Sequence, residues 1–149
     1  MDFHNPIITK RPQETAAVGE KLARDLASRE DGHILCLYGQ LGSGKTTFTQ
    51  GFARGLGITS RLLSPTFIIV RRYQIPKKES YLYHVDLYRL NKVTEMEEIG
   101  LPEIFADPAS YTVVEWAERL GGLIPRKRVD VHCTTAQDDT HVITIEGLA

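Results

Sequence analysis

The residues with the clearest chemical meaning form a glycine-rich run at positions 39–46, Gly39-Gln40-Leu41-Gly42-Ser43-Gly44-Lys45-Thr46. Its spacing, G-x-x-x-x-G-K-[ST], is typical of loops that bind the phosphates of nucleotides. The glycines allow backbone angles that turn several N–H groups toward one anion. A helix that starts directly after the loop directs its positive end to the same point. The run therefore predicts a phosphate-binding loop.

Individual residues of this loop have separate predicted roles. Lys45 supplies a full positive charge to the β- and γ-phosphates, and the Thr46 hydroxyl is a ligand for Mg²⁺. Thr47 is a structural residue or a secondary phosphate contact. The sequence thus predicts a site for a nucleoside triphosphate with Mg²⁺. The residues alone do not distinguish ATP from GTP. The chain lacks the base-reading pattern N-K-x-D, and the absence of this pattern favours ATP.

Hydrolysis needs a second acid that holds Mg²⁺ or water, besides the loop. Glu115 follows the apolar, strand-like residues 111–114 and is a candidate metal ligand, because acids at strand ends often face a site. Asp86 is a second candidate. It lies two residues after His84, so both would share one face of a regular strand. Spacing alone leaves two alternatives equally open: a surface hydrogen-bonded pair of His84 and Asp86, or a weak metal motif that occurs by chance.

A third candidate region is the segment Ser64-Pro65-Thr66-Phe67. Pro65 keeps the preceding residue away from helical angles, which gives a shaped loop. Thr66 in such a loop could contact the γ-phosphate or Mg²⁺, as in a switch loop. On local evidence an ordinary turn is the better interpretation. Trp116, the only tryptophan, is by type a packing residue, and beside Glu115 it would pack against the site.

The elements around these residues follow an α/β pattern. A strand at 34–38 and a helix at 45–56 flank the loop, as the motif requires. An apolar stripe at Val18, Leu22 and Leu26 predicts a helix at 12–28. Strand-like segments at 67–73 and 81–88 are too close for a crossover helix and should form an antiparallel hairpin. Short helices at 94–99 and 101–105, a strand at 111–115 and a closing hairpin of 128–134 with 141–145 complete the prediction.

Composition excludes several other classes. The 149 residues suit one domain, and the net charge of −1 argues against a strong whole-surface nucleic-acid binder. No apolar window is long enough for a membrane span, and residues 1–10 do not resemble a signal peptide. We therefore expect a cytoplasmic protein with no membrane segment. Cys36 and Cys133 lie in apolar, strand-like runs and are expected to be reduced core thiols.

The motifs together resemble the TsaE (YjeE) family of bacterial P-loop ATPases. Four elements match in order: the loop at 39–47, Ser-Pro-Thr-Phe at 64–67, His-Val-Asp-Leu-Tyr-Arg at 84–89 and Glu-Trp-Ala-Glu at 115–118. The phosphate loop occurs in many families, but its combination with the other three is specific. The resemblance covers about the whole chain. One difference is Ser43, where alanine is common in the family; both are small.

The resemblance implies a single α/β domain over residues 1–149, a P-loop NTPase-like three-layer sandwich with a mixed central sheet. It also implies a helper ATPase in the synthesis of threonylcarbamoyladenosine next to the tRNA anticodon. Its partner would be the TsaB–TsaD heterodimer, with tRNA contacted indirectly, and its cofactors ATP and Mg²⁺. Lys45, Asp86 and Glu115 would be catalytic, and Thr46 and Glu115 would hold the metal. The nucleotide contacts would be Gly39, Leu41, Gly42, Ser43, Gly44, Lys45, Thr46, Thr47 and Thr66.

Two other functions remain open from the residues. A small P-loop kinase would need a mainly parallel sheet and an arginine-bearing lid, and the hairpin argues against it. A nucleotide switch without catalysis would bind ATP and never cleave it. Direct tRNA binding by basic patches is a weaker idea, because solvated charge is the default. No arginine is an obvious candidate for an arginine finger, the residue that stabilises the transition state of phosphoryl transfer. Arg71, Arg72 and Arg89 are possible, but surface ion pairs are the better interpretation of these residues. The oligomeric state is left open.

Overall fold

A computed structural model describes residues 2–29, 33–40, 42–62 and 69–148. Its strands are β1 (Ile7–Thr9), β2 (Ile34–Tyr38), β3 (Val70–Gln74), β4 (Tyr81–Asp86), β5 (Tyr111–Glu115), β6 (Val129–Thr135) and β7 (His141–Glu146). Its helices are α1 (Pro12–Ala27), α2 (Lys45–Gly55), α3 (Val93–Glu98), α4 (Leu101–Phe105) and a 3₁₀ segment, Ala117–Leu123.

The described strands form one sheet in the order β1-β7-β6-β2-β5-β4-β3. The four central strands β6, β2, β5 and β4 are parallel, and the outer strands β3, β7 and β1 pair antiparallel. Both predicted hairpins are therefore present, and the sheet is mixed as predicted. The carboxyl ends of parallel strands meet at one edge, where ligands of α/β sheets bind.

Helices cover both faces of this sheet. Alternate residues of β2 belong to different apolar clusters: Leu35 and Leu37 pack with α1 and α2, whereas Ile34 and Cys36 pack with α3, α4 and the 3₁₀ segment. A strand buried on both faces reads as a continuous apolar run, and the sequence of β2 has that form. The architecture is the predicted three-layer α/β sandwich.

The two long helices touch through their backbones. A Cβ atom added at Gly51 of α2 would lie 1.9 Å from the carbonyl oxygen of Ala16 in α1. One added at Gly19 of α1 would lie 2.2 Å from the carbonyl oxygen of Phe48 in α2. Only glycine fits at either position, because real Cβ contacts of this length do not occur. This contact holds α2, the helix that follows the phosphate loop, against α1.

The ends of several elements differ from the predictions. The prediction that β4 runs to residue 88 is wrong, because the Tyr88 N–H turns back to donate to Asp86 Oδ1 at 2.9 Å. Strand β3 begins at Val70, and the predicted strand residues 67 and 68 lie outside the described residues. Strand β1 and the 3₁₀ segment were not predicted.

Both cysteines are buried free thiols, as predicted. Burial raises the pKa of Cys36 to about 12 and that of Cys133 to about 11, so neither is a reactive thiolate near neutral pH.

Among the described helices, none combines the length and the apolar character needed to cross a membrane.

Candidate functional site

The predicted phosphate loop connects the end of β2 to the start of α2. Gly42 and Gly44 have φ angles of 79° and 100°, in the left-handed region that favours glycine. Gly39 lies so close to β6 that an added Cβ would be 2.4 Å from the Cys133 carbonyl oxygen. The loop glycines are thus required by backbone conformation and by a close approach. Leu41, also predicted as a contact, lies outside the described residues.

A cavity of about 580 Å³ opens over this loop, within the range of small-molecule sites. It brings together residues that are far apart in the sequence. Most of the predicted site residues line it, namely Gly42, Gly44, Lys45, Thr46, Thr47, Asp86 and Glu115. Gly39 and Ser43 instead line a smaller neighbouring cavity, and Ser43 is buried. Thr66 lies outside the described residues.

Lys45 is only 5% exposed, whereas most lysine side chains are exposed to solvent. Its Nζ atom donates to the Gly39 carbonyl oxygen at 2.6 Å and lies 4.7 Å from the centroid of the Trp116 ring. Neither contact neutralises the positive charge. A buried ammonium group needs an anion to offset its lost hydration. The site around Lys45 therefore favours a bound phosphate.

Two carboxylates face each other across neighbouring strands. In the register of β4 with β5, Asp86 is paired with Glu115. Both side chains line the cavity with Thr46. The fit to a magnesium ion is good, because Mg²⁺ binds through one or two carboxylates and takes its other ligands from phosphates and water. The part of the chain that the structure describes contains no cluster of three or more His, Cys, Asp or Glu suited to a metal.

His84 is buried, so the alternative interpretation of His84 and Asp86 as a surface hydrogen-bonded pair is wrong. Its side chain is 1% exposed, and its Nε2 atom lies 2.5 Å from Glu115 Oε2. The bond thus runs to the glutamate on the neighbouring strand, and Asp86 is free to accept the Tyr88 N–H. The register places His84 opposite Val113, two residues before Glu115.

The environment of Asp86 disfavours its negative charge. Partial burial raises the pKa of this carboxyl, and the nearby charge of Glu115 adds to the effect. The Tyr88 backbone N–H and the charge of Lys45 oppose it, but the pKa stays above its ordinary value. A cation bound beside the carboxyl would relieve this penalty.

We expect Asp86→Asn to raise the melting temperature of the ligand-free protein at pH 7 by about 1–2 °C. A carboxyl whose pKa is raised on folding destabilises the folded state above that pKa, and asparagine removes the charge while its oxygen still accepts the Tyr88 N–H. The gain should shrink as the pH falls from 7 through the raised pKa of Asp86, because the wild-type carboxyl then becomes neutral. Thermal melting across this pH range is the measurement. A variant that melts lower than wild type at pH 7 would contradict this view of Asp86.

The other end of the cavity is lined by residues that the sequence analysis missed: Pro12 and Thr15 of α1, and His141 at the start of β7. No motif contains them. They reach the site because β7 lies beside β6 and pairs with β1, which leads directly into α1. The Thr15 hydroxyl is already hydrogen-bonded to the Thr9 hydroxyl at 2.7 Å.

Aromatic side chains form a further wall of the cavity, and an arginine packs against them. Trp116 has a φ of 59°, uncommon for this residue type, and lines the cavity with Tyr88. The Arg119 guanidinium lies 5.3 Å from the Trp116 ring and donates to the Leu90 carbonyl and the Asn91 side chain. The packing role predicted for Trp116 is confirmed. Arg119, by contrast, was missed.

Comparisons with known proteins agree with these observations. The family model described as "Threonylcarbamoyl adenosine biosynthesis protein TsaE" matches residues 9–143. The tRNA threonylcarbamoyladenosine biosynthesis protein TsaE of Bacillus subtilis is 41% identical over 94% of this chain and 84% of its own. That of Treponema pallidum is 33% identical over 93% of this chain and 97% of its own.

A solved structure is also similar. The crystal structure of YdiB from Bacillus subtilis superposes with a TM-score of 0.78 at 34% identity, over 97% of this chain and 86% of that one. The match in sequence and the match in structure both span nearly the whole chain. The chain therefore belongs to the TsaE family of threonylcarbamoyl adenosine biosynthesis proteins.

Proposed function

We propose that this protein is a Mg²⁺-dependent ATPase that assists a TsaB–TsaD heterodimer in forming threonylcarbamoyladenosine in tRNA. One observation carries the ATPase part: Lys45, Thr46, Asp86 and Glu115 line one cavity over a glycine-rich loop. The family carries the tRNA part, because its relatives are named for threonylcarbamoyladenosine biosynthesis. The place of action that follows is the cytoplasm, where tRNA is modified.

The roles of the residues follow from their charges and positions. Loop amides and Lys45 neutralise the phosphates as charge develops on them. Thr46 and Glu115 would hold Mg²⁺, which would supply positive charge to offset the charge of the phosphates. Asp86 orients a water molecule or a switch element beside the γ-phosphate. Leu41 and Thr66 are proposed as further nucleotide contacts.

Turnover by the protein alone is expected to be slow. An arginine that stabilises the transition state can speed phosphoryl transfer by about 10³–10⁵-fold. Arg119 is near the cavity wall, but its guanidinium already donates to Leu90 and Asn91. Arg72 lies against the Tyr81 ring, 4.3 Å from its centroid, on the outermost strand. We propose a partner protein as the source of stimulation.

The function is tested by counting modified tRNA molecules per TsaB–TsaD heterodimer. With limiting heterodimer, excess tRNA, ATP and the other substrates, adding this protein should raise the number of modified tRNA molecules per heterodimer well above the number formed without it. Lys45→Ala should fail to do so. A yield unchanged by the wild-type protein would refute the proposed role in this modification, even if the protein cleaves ATP.

A further inference from the structure

We propose that His84 is a positioning residue, which orients the Glu115 carboxylate for Mg²⁺ through a hydrogen bond donated by its Nε2 atom. The inference rests on the proposed function, in which Glu115 holds the metal of a bound nucleotide. His84 itself does not line the cavity, whereas Glu115 does.

The contact between these two residues is short and buried. His84 Nε2 and Glu115 Oε2 are 2.5 Å apart, and the side chains are 1% and 8% exposed. The residues stand on adjacent parallel strands, so the sheet fixes the distance between their backbones. A hydrogen bond in a buried, low-dielectric environment is stronger than one in water. It restricts the glutamate side chain to one arrangement.

The direction of this bond follows from the chemistry of the partners. An ionised carboxylate only accepts hydrogen bonds, so the imidazole Nε2 must carry the proton. The other ring nitrogen, Nδ1, is buried with no hydrogen-bond partner among the described residues. With its only proton on Nδ1, the ring would place the Nε2 lone pair against the carboxylate oxygen, so that two acceptors would face each other with no hydrogen between them. The favoured neutral form has its proton on Nε2.

The Glu115 carboxylate can therefore accept the hydrogen bond from His84 and bind Mg²⁺ at the same time. Oε2 accepts the bond from His84, and the remaining lone pairs of the carboxylate stay available to a metal at the cavity that Glu115 lines. A residue that holds a metal ligand in this way affects metal affinity without touching the metal, and its loss typically costs about 10–100-fold. His84 thus prepares Glu115 for Mg²⁺ before any nucleotide arrives.

Three replacements of His84 separate this role from simple packing. The amide nitrogen of glutamine can occupy the place of Nε2, whereas that of asparagine occupies the place of Nδ1. Methionine fills the space without donating. The measurement is the Mg²⁺ concentration that gives half-maximal tightening of binding of a fluorescent, non-hydrolysable ATP analogue. Binding of the same analogue without Mg²⁺, and thermal melting, report on the fold and the phosphate loop.

The expected result is that His84→Gln needs at most about threefold more Mg²⁺ than wild type, while His84→Asn and His84→Met need about tenfold more. Binding without Mg²⁺ should be unchanged in all three. Equal Mg²⁺ requirements for the glutamine and asparagine variants would overturn the proposal, because packing alone would then explain both.

A double-mutant cycle with Glu115→Gln tests whether His84 acts through Glu115. The effect of His84→Met should disappear in the Glu115→Gln background. A full, additive effect there would overturn the positioning role while leaving the proposed function intact. If Glu115→Gln alone leaves the Mg²⁺ requirement unchanged, the proposed metal role of Glu115 fails, and the inference fails with it.

Should a His84 variant not fold, nitrogen NMR of the wild-type imidazole decides the matter. The spectrum of the ligand-free protein should show a proton on Nε2 of His84 that exchanges slowly and is strongly deshielded. A proton found on Nδ1 alone would overturn the proposal.

Discussion

Lys45→Ala is expected to lower ATP turnover by at least about 100-fold, which is the usual cost of removing one preorganised charge from a transition-state site. Lys45 is 5% exposed and its Nζ atom is held at the loop by the Gly39 carbonyl oxygen. Its charge is therefore already in place before the phosphates bind. Alanine removes the charge and leaves the loop backbone, so binding of nucleotide should weaken while the fold remains. Phosphate release, measured at saturating Mg²⁺ and ATP, is the assay.

Lys92→Ala is the matched control, because Lys92 is an exposed lysine at the start of α3 and makes no side-chain capping bond. It should keep the wild-type rate. Melting temperatures of both variants should stay near that of wild type. If Lys45→Ala retained even a third of the wild-type rate, Lys45 would not be the residue that neutralises the phosphates.

Gly51→Ala is expected to destabilise the protein by about 3 kcal/mol or more, the upper range for overpacking. Helix propensity alone predicts the opposite sign, a gain of about 1 kcal/mol. Packing should decide, because the new Cβ would lie 1.9 Å from the Ala16 carbonyl oxygen and 2.5 Å from its carbon. Backbone atoms cannot rotate away as a side chain can, so α1 and α2 must separate. Unfolding in urea gives the free energy directly.

Gly122→Ala is the control for this substitution, since a Cβ at Gly122 would meet nothing within 4 Å. Its free energy of unfolding should stay within about 0.5 kcal/mol of wild type. The melting temperature of Gly51→Ala should fall by roughly 6–12 °C for a domain of this size. A stability equal to or above wild type would show that the backbone contact of the two helices is not a tight one.

Much of the fold could be predicted from local sequence patterns. The continuous apolar run of β2, the glycines of the loop and the short spacing between β3 and β4 each have one good structural solution. Strand β1 could not be predicted, because its three residues gain their order from pairing with β7, which is over 130 residues away. The end of β4 was misplaced because its last residue, Asp86, accepts a bond from the Tyr88 backbone, a contact that apolar patterning does not reveal.

The candidate site was predictable where a motif carries it and not elsewhere. The loop residues and Glu115 follow from spacing and from the position of a strand end. That Asp86 stands opposite Glu115, and that His84 lies buried beneath it, depends on the parallel register of β4 with β5. Single-chain spacing does not contain that register. The position of His141 at the cavity could not be predicted for the same reason, because only the sheet order brings β7 and α1 to the cavity.

The residues around this cavity are proposed to hydrolyse ATP. Phosphorus NMR of ATP with Mg²⁺, the purified protein, TsaB, TsaD and tRNA tests this proposal most directly, because one spectrum distinguishes every fate of the γ-phosphate. We expect the signals of ADP and inorganic phosphate to grow, and to grow faster with the partners than without them. ATP that stays intact with all partners present would contradict it and point to a switch without catalysis. Phosphate found on another small molecule would contradict it and point to a kinase.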